Sequence, residues 1–136
     1  MRKIYFAGSI RAGREDAGLY ARLIAFLKTK GEVLTEHVGN PELLASEKDL
    51  SDEEIYGRDV AWIRASDILI AECTRPSLGV GYELAYAEAL GKRCEILWRP
   101  SAGRLSAMLS GNRSFGIHPY ADEREAIEIL EEIFSK

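Results

Sequence analysis

Short apolar runs alternate with amphipathic, helix-period runs along this chain, and no hairpin dipeptide joins one apolar run to the next. Strands that are not linked by tight turns are linked by crossovers, which pair them in parallel with right-handed connections. Lys3 to Ala7 reads as the first strand. Asp16 to Lys30 follows as a helix with Tyr20, Leu23, Ile24 and Leu27 on one face, ended by Gly31. Glu32 to Thr35 is a second strand, and His37 to Leu50, with its Gly39-Asn40-Pro41 turn signal, reads as loop. Ser51 and Glu54 form a capping box for a helix to about Ala65. Asp67 to Cys73 is a buried strand, Gly79 to Leu90 a helix and Arg93 to Trp98 a fourth strand. Leu105 to Leu109 is a short helix, Ser114 to His118 the last strand, and Asp122 to Phe134 a helix with Ala126, Ile127, Leu130 and Ile133 inward.

The expected fold is therefore α/β: a three-layer sandwich around a five-stranded parallel sheet, Rossmann-like or flavodoxin-like, with residues 1–136 forming one domain. Ligands of such sheets bind beyond the carboxyl ends of the strands, beside the switch in strand order. That rule selects the loop after the first strand, the loop after the Asp67 strand and the segment after Trp98.

Composition narrows the partners. A net charge of -4 without a basic run argues against a nucleic-acid polymer as ligand. No apolar stretch reaches membrane-spanning length, and Met1-Arg2-Lys3 leads directly into a strand, so the expectation is a cytoplasmic protein with no membrane partner. Cys73 and Cys94 fall at strand ends and read as small core residues. Neither they nor His37 and His118 have the spacing of a zinc site, and no metal or cofactor is expected.

Two carboxylates stand on helix faces that should be apolar. Glu83 lies in Ser77-Leu78-Gly79-Val80-Gly81-Tyr82-Glu83, on the stripe of Val80, Leu84, Ala87 and Leu90. Asp59 lies between Ile55 and Ile63, with Trp62 close by. A buried carboxylate costs several kcal/mol, in rough terms, unless it is paired or used. A neighbouring arginine could neutralise each, with Arg58 and Arg64 the candidates for Asp59. The alternative is an acid and nucleophile pair whose pKa values are pushed apart. Tyr5 on the first strand could hydrogen-bond one of them or simply pack.

The first loop, Gly8-Ser9-Ile10-Arg11-Ala12-Gly13-Arg14, combines glycines, a hydroxyl and a guanidinium just ahead of a helix. Those parts can cradle a phosphate, although the glycine spacing is neither that of a dinucleotide fingerprint nor that of a P-loop. Ser77 can cap the Glu83 helix and open toward the same crevice as Ser9. Two carboxylates beside a phosphate cradle suit cleavage of a glycosidic bond. Phosphoryl transfer fits poorly without a metal-binding cluster.

Tyr5-Phe6-Ala7-Gly8-Ser9-Ile10-Arg11, Gly13-Arg14-Glu15-Asp16, Leu34-Thr35-Glu36-His37-Val38, Pro76 to Leu84, Arg99-Pro100 and Leu105-Ser106-Ala107-Met108 together resemble the 2′-deoxynucleoside 5′-monophosphate N-glycosidases of the nucleoside 2-deoxyribosyltransferase superfamily. The resemblance runs from about Lys3 to Phe115 and is most specific from Ser77 to Leu84. It implies hydrolysis to free base and 2-deoxyribose 5-phosphate. By that likeness Glu83 is the nucleophile that forms a covalent intermediate, Asp59 assists the departing base and then water, and Tyr5 orients Glu83. It implies further that Ser9, Arg11 and Ser77 hold the 5′-phosphate with Ser106 of a homodimer partner. His37 lies near the base, and Gly8, Ile10, Gly13, Arg14, Gly79 and Met108 complete the ligand site. Ala12 departs from the family, which has a second glycine there. Without the resemblance, Leu105, Met108 and Leu109 read as core. Transfer of deoxyribose to a second base, a ribonucleotide glycosidase and a nucleotide-sensing domain that does not cleave are the alternatives.

Overall fold

The computed structural model describes residues 1–9, 16–39 and 47–135. Its five strands are β1 (Lys3–Ala7), β2 (Glu32–Val33), β3 (Ile68–Glu72), β4 (Arg93–Trp98) and β5 (Phe115–Pro119). They form one all-parallel sheet in the order β2-β1-β3-β4-β5. The helices are α1 (Ala17–Leu27), α2 (Asp52–Ala65), α3 (Leu78–Ala89), α4 (Ala107–Ser110) and α5 (Glu123–Phe134), with 3-10 turns at Glu36–Gly39 and Pro100–Ala102. This is the flavodoxin-like order, and its switch point lies between β1 and β3. Among the described residues no helix is long and apolar enough to cross a membrane.

The two-residue period of each strand sorts its side chains onto the two faces. Ile4, Phe6, Ile68, Ile70 and Leu97 pack against Leu23 and Leu27 of α1 and Leu130 of α5. Tyr5, Ala7, Leu69, Ala71 and Ile96 face the other way, toward Ile63 of α2 and Val80, Leu84 and Ala87 of α3. The three expected layers are therefore present, and strand parity puts Tyr5 on the α2 and α3 side.

Most predicted boundaries agree within two residues, and β1 and β4 agree at both ends. Four details differ. Beyond Leu27 the α1 region continues only as turns through Lys30. The β2 strand stops at Val33 rather than Thr35, because the Thr35 side chain takes over the ladder: its Oγ1 accepts from Phe6 N–H at 2.7 Å and donates to Phe6 C=O at 2.8 Å. Within the segment read as loop, Glu36–Gly39 winds into a 3-10 turn that lies on α1; a Cβ on Gly39 would come 2.7 Å from Ala21 Cα. The predicted apolar stripe of α3 breaks at Leu90, which caps the helix C-terminus and is 44% exposed.

The short helix α4 corrects the reading of Leu105, Met108 and Leu109 as core. Leu105 is buried and Leu109 half-buried, but Met108 is 83% exposed. A four-residue helix held by its Ser106 cap has too few turns to bury both ends of its apolar set.

Candidate active site

At the switch point, side chains of β1, the first 3-10 turn, α2 and α3 converge on a narrow crevice. Tyr5, Gly8, His37, Asp59 and Glu83 line it, with Thr35. Helix α3 is set in register by Ser77, whose Oγ accepts from Val80 N–H at 3.2 Å, and this places Glu83 two turns in, facing β1. The Tyr5 hydroxyl donates a short hydrogen bond to Glu83 Oε2. Gly8 ends β1 without a side chain, and a Cβ there would meet the Tyr20 ring at 2.9 Å.

Burial dominates the electrostatics. It pushes the Glu83 carboxyl up to about 7, opposed by the Tyr5 hydrogen bond and reinforced by the charge of Asp59. Asp59 is also raised by burial, and the Arg58 guanidinium beside it works in the opposite direction. Tyr5 is raised well above the ordinary phenol range by burial and by both carboxylates, so it remains a donor. Burial thus raises both carboxyls of the crevice above their ordinary values, and the Arg58 guanidinium limits the rise of each.

Glu83 is half-buried and lines the crevice, and the hydrogen bond described for it comes from a neutral phenol. Among the described residues no salt bridge seals it into the core, the alternative that the sequence left open. Asp59 does have the arginine foreseen as a neutraliser: Arg58 Nε donates to Asp59 Oδ1 at 3.0 Å. Arg64, the other candidate, instead lies over the Tyr86 ring at 5.7 Å.

Arg58 does more than neutralise Asp59. Its Nη2 donates to Glu47 Oε2 at 2.6 Å and lies 3.3 Å from His37 Nε2, while the guanidinium sits 5.0 Å above the Trp62 ring. The His37 ring lies 5.4 Å from that of Trp62. Arg58 thus ties Asp59 to His37 and to Glu47, a carboxylate only 4% exposed. Glu47 carried no helical or strand period in the sequence, and no local signal could have found it.

The ligand-loop residues divide. Ser9 is fully buried; its N–H donates to Tyr20 Oη at 3.2 Å and its Oγ has no partner among the described residues. Ile10, Arg11, Gly13 and Arg14, with Ala12, lie outside the described residues. Gly8 lines the narrow crevice, whereas Ser77 lines a second, wider cavity of about 610 Å³ together with Ser106 and Met108. Ser77 sits on the capped first turn of α3, where it shares the wide cavity with residues of α4. Gly79 is exposed on that first turn.

The family model for nucleoside 2-deoxyribosyltransferase matches residues 4–114. The chain belongs to that family. A 5-hydroxymethyl-dUMP N-hydrolase of Tetraodon nigroviridis is 48% identical over 139 residues, covering 98% of this chain and 97% of the relative. The protein of the same name from Mus musculus is 49% identical over 126 residues, covering 88% and 73%. Among solved structures, a Clostridium botulinum CMP N-glycosidase superposes with a TM-score of 0.73 at 20% identity, covering 97% of this chain and 99% of the other. A molybdenum cofactor binding protein of Rippkaea orientalis gives 0.54 at 18%, covering 97% and 96%. At those identities the structural likeness shows the fold alone. For this family member, both the flavodoxin-like sheet and the motifs from Tyr5 to Arg11 and Ser77 to Leu84 agree with the membership read from sequence.

Proposed function

We propose that the protein hydrolyses the N-glycosidic bond of 2′-deoxynucleoside 5′-monophosphates, releasing the nucleobase and 2-deoxyribose 5-phosphate. The observation that carries this reading is a half-buried Glu83, hydrogen-bonded by Tyr5, in one crevice with Asp59 at the switch point of the sheet. Relatives at nearly half identity that are named 5-hydroxymethyl-dUMP N-hydrolases support the reaction class and the deoxyribonucleotide substrate.

In the proposed reaction the Glu83 carboxylate attacks C1′ from the face opposite the base. The C1′–N bond breaks, its electron pair goes to the base, and protonated Asp59 delivers the proton that neutralises it. Water then attacks C1′ of the glycosyl ester, the Asp59 carboxylate takes its proton, and Glu83 leaves as a carboxylate. Tyr5 steers the attacking oxygen by holding Oε2, so that Oε1 is the one left for C1′. His37, whose ring lies tilted beside that of Trp62, borders the base. Ser9, Arg11 and Ser77 bind the 5′-phosphate, and Gly8, Ile10, Gly13, Arg14 and Gly79 shape the backbone around the ligand.

Ser106 is read as reaching the site of a partner subunit in a homodimer, with Met108 completing the ligand site. Leu78 and Met108, which line the wide cavity and are 97% and 83% exposed, support this, because large apolar side chains left open to solvent are what an interface covers. The test is product analysis with 5-hydroxymethyl-dUMP, with and without an acceptor base. Free base with 2-deoxyribose 5-phosphate is expected in both. A product glycosylated on the acceptor would replace hydrolysis by transfer, and binding without cleavage would leave only a sensor.

A further inference from the structure

Just past the carboxyl ends of β3, β4 and β5, on the sheet face opposite Tyr5, one buried carboxylate gathers the connections that follow. Glu72 is fully buried, and its oxygens accept from Thr74 N–H at 3.1 Å, from the Thr74 hydroxyl and from Tyr120 Oη at 2.7 Å. Thr74 Oγ1 in turn accepts from Arg99 N–H at 3.0 Å. The Arg99 guanidinium lies 5.7 Å from the centre of the Tyr120 ring, and its Nη2 donates to Asp16 Oδ2 at 2.6 Å. Arg75 Nε stands further off, 3.6 Å from the same oxygen. Arg99 is therefore fixed at its backbone and along its side chain, and its tip acts on the residue where the first loop passes into α1.

Asp16 holds the N-cap position of α1, yet its side chain makes no cap bond. Asp122, in the same position on α5, behaves as a capping aspartate does: its Oδ1 accepts from Glu125 N–H at 3.0 Å. What differs is the ion pair. The Asp16 and Arg99 side chains are only 13% and 19% exposed, so their charge-assisted bond is little screened, and the carboxylate follows the guanidinium rather than the helix. The first turn of α1 carries no other acidic residue. At the opposite end of the first loop, Ser9 N–H donates to Tyr20 Oη of the same helix, while Ser9 Oγ is fully buried without a partner among the described residues. A buried hydroxyl without a partner at one end of the loop, and at the other a helix start relieved of its aspartate's charge, suit an anionic ligand.

We propose that Arg99 is a positioning residue for phosphate binding: anchored through Thr74 on Glu72, it holds the Asp16 carboxylate away from the start of α1, where that charge would repel the ligand's 5′-phosphate. The proposal rests on the deoxyribonucleotide reading and adds to it the group that keeps the phosphate loop free of its own anion. Arg99 touches no ligand in this scheme.

The test compares KM and kcat for 5-hydroxymethyl-dUMP and for its nucleoside, 5-hydroxymethyl-2′-deoxyuridine, in the parent, Arg99→Gln, Arg99→Lys, Asp16→Asn, the Arg99→Gln and Asp16→Asn double variant, and Ser9→Ala, with melting temperatures measured in parallel. Arg99→Gln frees the carboxylate to cap α1 and is expected to raise the nucleotide KM about tenfold, with kcat and the nucleoside KM little changed. Arg99→Lys keeps the charge and should recover part of the loss. Asp16→Asn alone should not raise the nucleotide KM, and in the double variant it should bring that KM back toward the parent value, because the offending charge is gone. A purely structural Arg99 would give a double variant at least as impaired as Arg99→Gln, or would weaken nucleotide and nucleoside alike; either result overturns the proposal. An unchanged nucleotide KM in Arg99→Gln beside a raised one in Ser9→Ala also overturns it and leaves the phosphate reading standing. If no variant separates nucleotide from nucleoside, both ideas fall.

Discussion

Tyr5 and Glu83, 78 positions apart in the chain, are joined by a short hydrogen bond from phenol to carboxylate across the gap between β1 and α3. Strand parity turns Tyr5 toward α3, and the Ser77 cap sets the helical phase that turns Glu83 back toward β1. Neither side chain could meet the other if either element slipped by one residue. Replacing Glu83 by Gln should preserve this contact while removing the carboxylate proposed as nucleophile. Release of base from 5-hydroxymethyl-dUMP, followed by chromatography, should fall by about a thousandfold or more. Activity near the parent level would remove Glu83 from the chemistry. Tyr5→Phe should lower kcat by about tenfold with a smaller effect on KM, as expected when an orienting bond is lost.

The elevated Glu83 pKa has a kinetic and a thermodynamic consequence of defined sign. The proposed mechanism needs Glu83 ionised for attack, so kcat/KM should rise with pH up to about 7, the value to which burial pushes this carboxyl, and fall again at higher pH as the proton on Asp59 is lost. Its folded-state pKa lies above its ordinary value of 4.5, so the folded state binds the proton more tightly than the unfolded one. The stabilisation is full below pH 4.5 and is lost as pH rises through about 7. Glu83→Gln should therefore melt higher than the parent at pH 8, by up to about 3 kcal/mol of stability, with the difference vanishing toward pH 4. Equal melting temperatures at both pH values would contradict the raised pKa.

Arg58→Ala should be among the most damaging substitutions on α2. It strips the guanidinium from the buried Glu47 carboxylate and from Asp59 at once. Breaking a buried pair by removing one partner costs about 3–5 kcal/mol. Chemical denaturation would detect this. At pH values where the variant stays folded, Asp59 should titrate higher than in the parent, because the charge that opposes its burial is gone.

Thr35→Val keeps the shape of the side chain but deletes both bonds to the Phe6 backbone. It should cost about 1–3 kcal/mol in equilibrium unfolding, since a buried amide and carbonyl lose their partner. The first 3-10 turn follows Thr35 directly and carries His37, so base binding should weaken along with stability. A variant as stable as the parent would show that water replaces the hydroxyl.

Sedimentation at micromolar concentration should give a dimer, and Met108→Glu should shift it toward monomer with loss of activity in proportion. Full activity in a monomeric variant would separate Ser106 and Met108 from the site.

Much of the architecture was legible along the chain because its signals are local. Lys3–Ala7 and Arg93–Trp98 are bounded by charge and turn residues, and the Ser51 and Glu54 capping box forms as read, with bonds of 3.0 and 2.9 Å. Glu83 and Asp59 were also visible, since a carboxylate on an apolar helical stripe breaks a period that a reader can count. Leu90 and Met108 were misplaced because the same period continues in sequence after the helix has ended or has become too short to bury it.

Local periodicity and capping thus determined the parallel α/β fold, the sheet edge that carries the crevice and the two carboxylates that stand there. Tertiary structure alone decided their company: Tyr5 on Glu83, Arg58 joining Asp59 to Glu47 and His37, and two arginines converging on Asp16. The physical reason is range. Helical and strand periods are set by neighbours a few residues apart, whereas a buried charge is stabilised by whichever side chain the crossovers deliver from far along the chain.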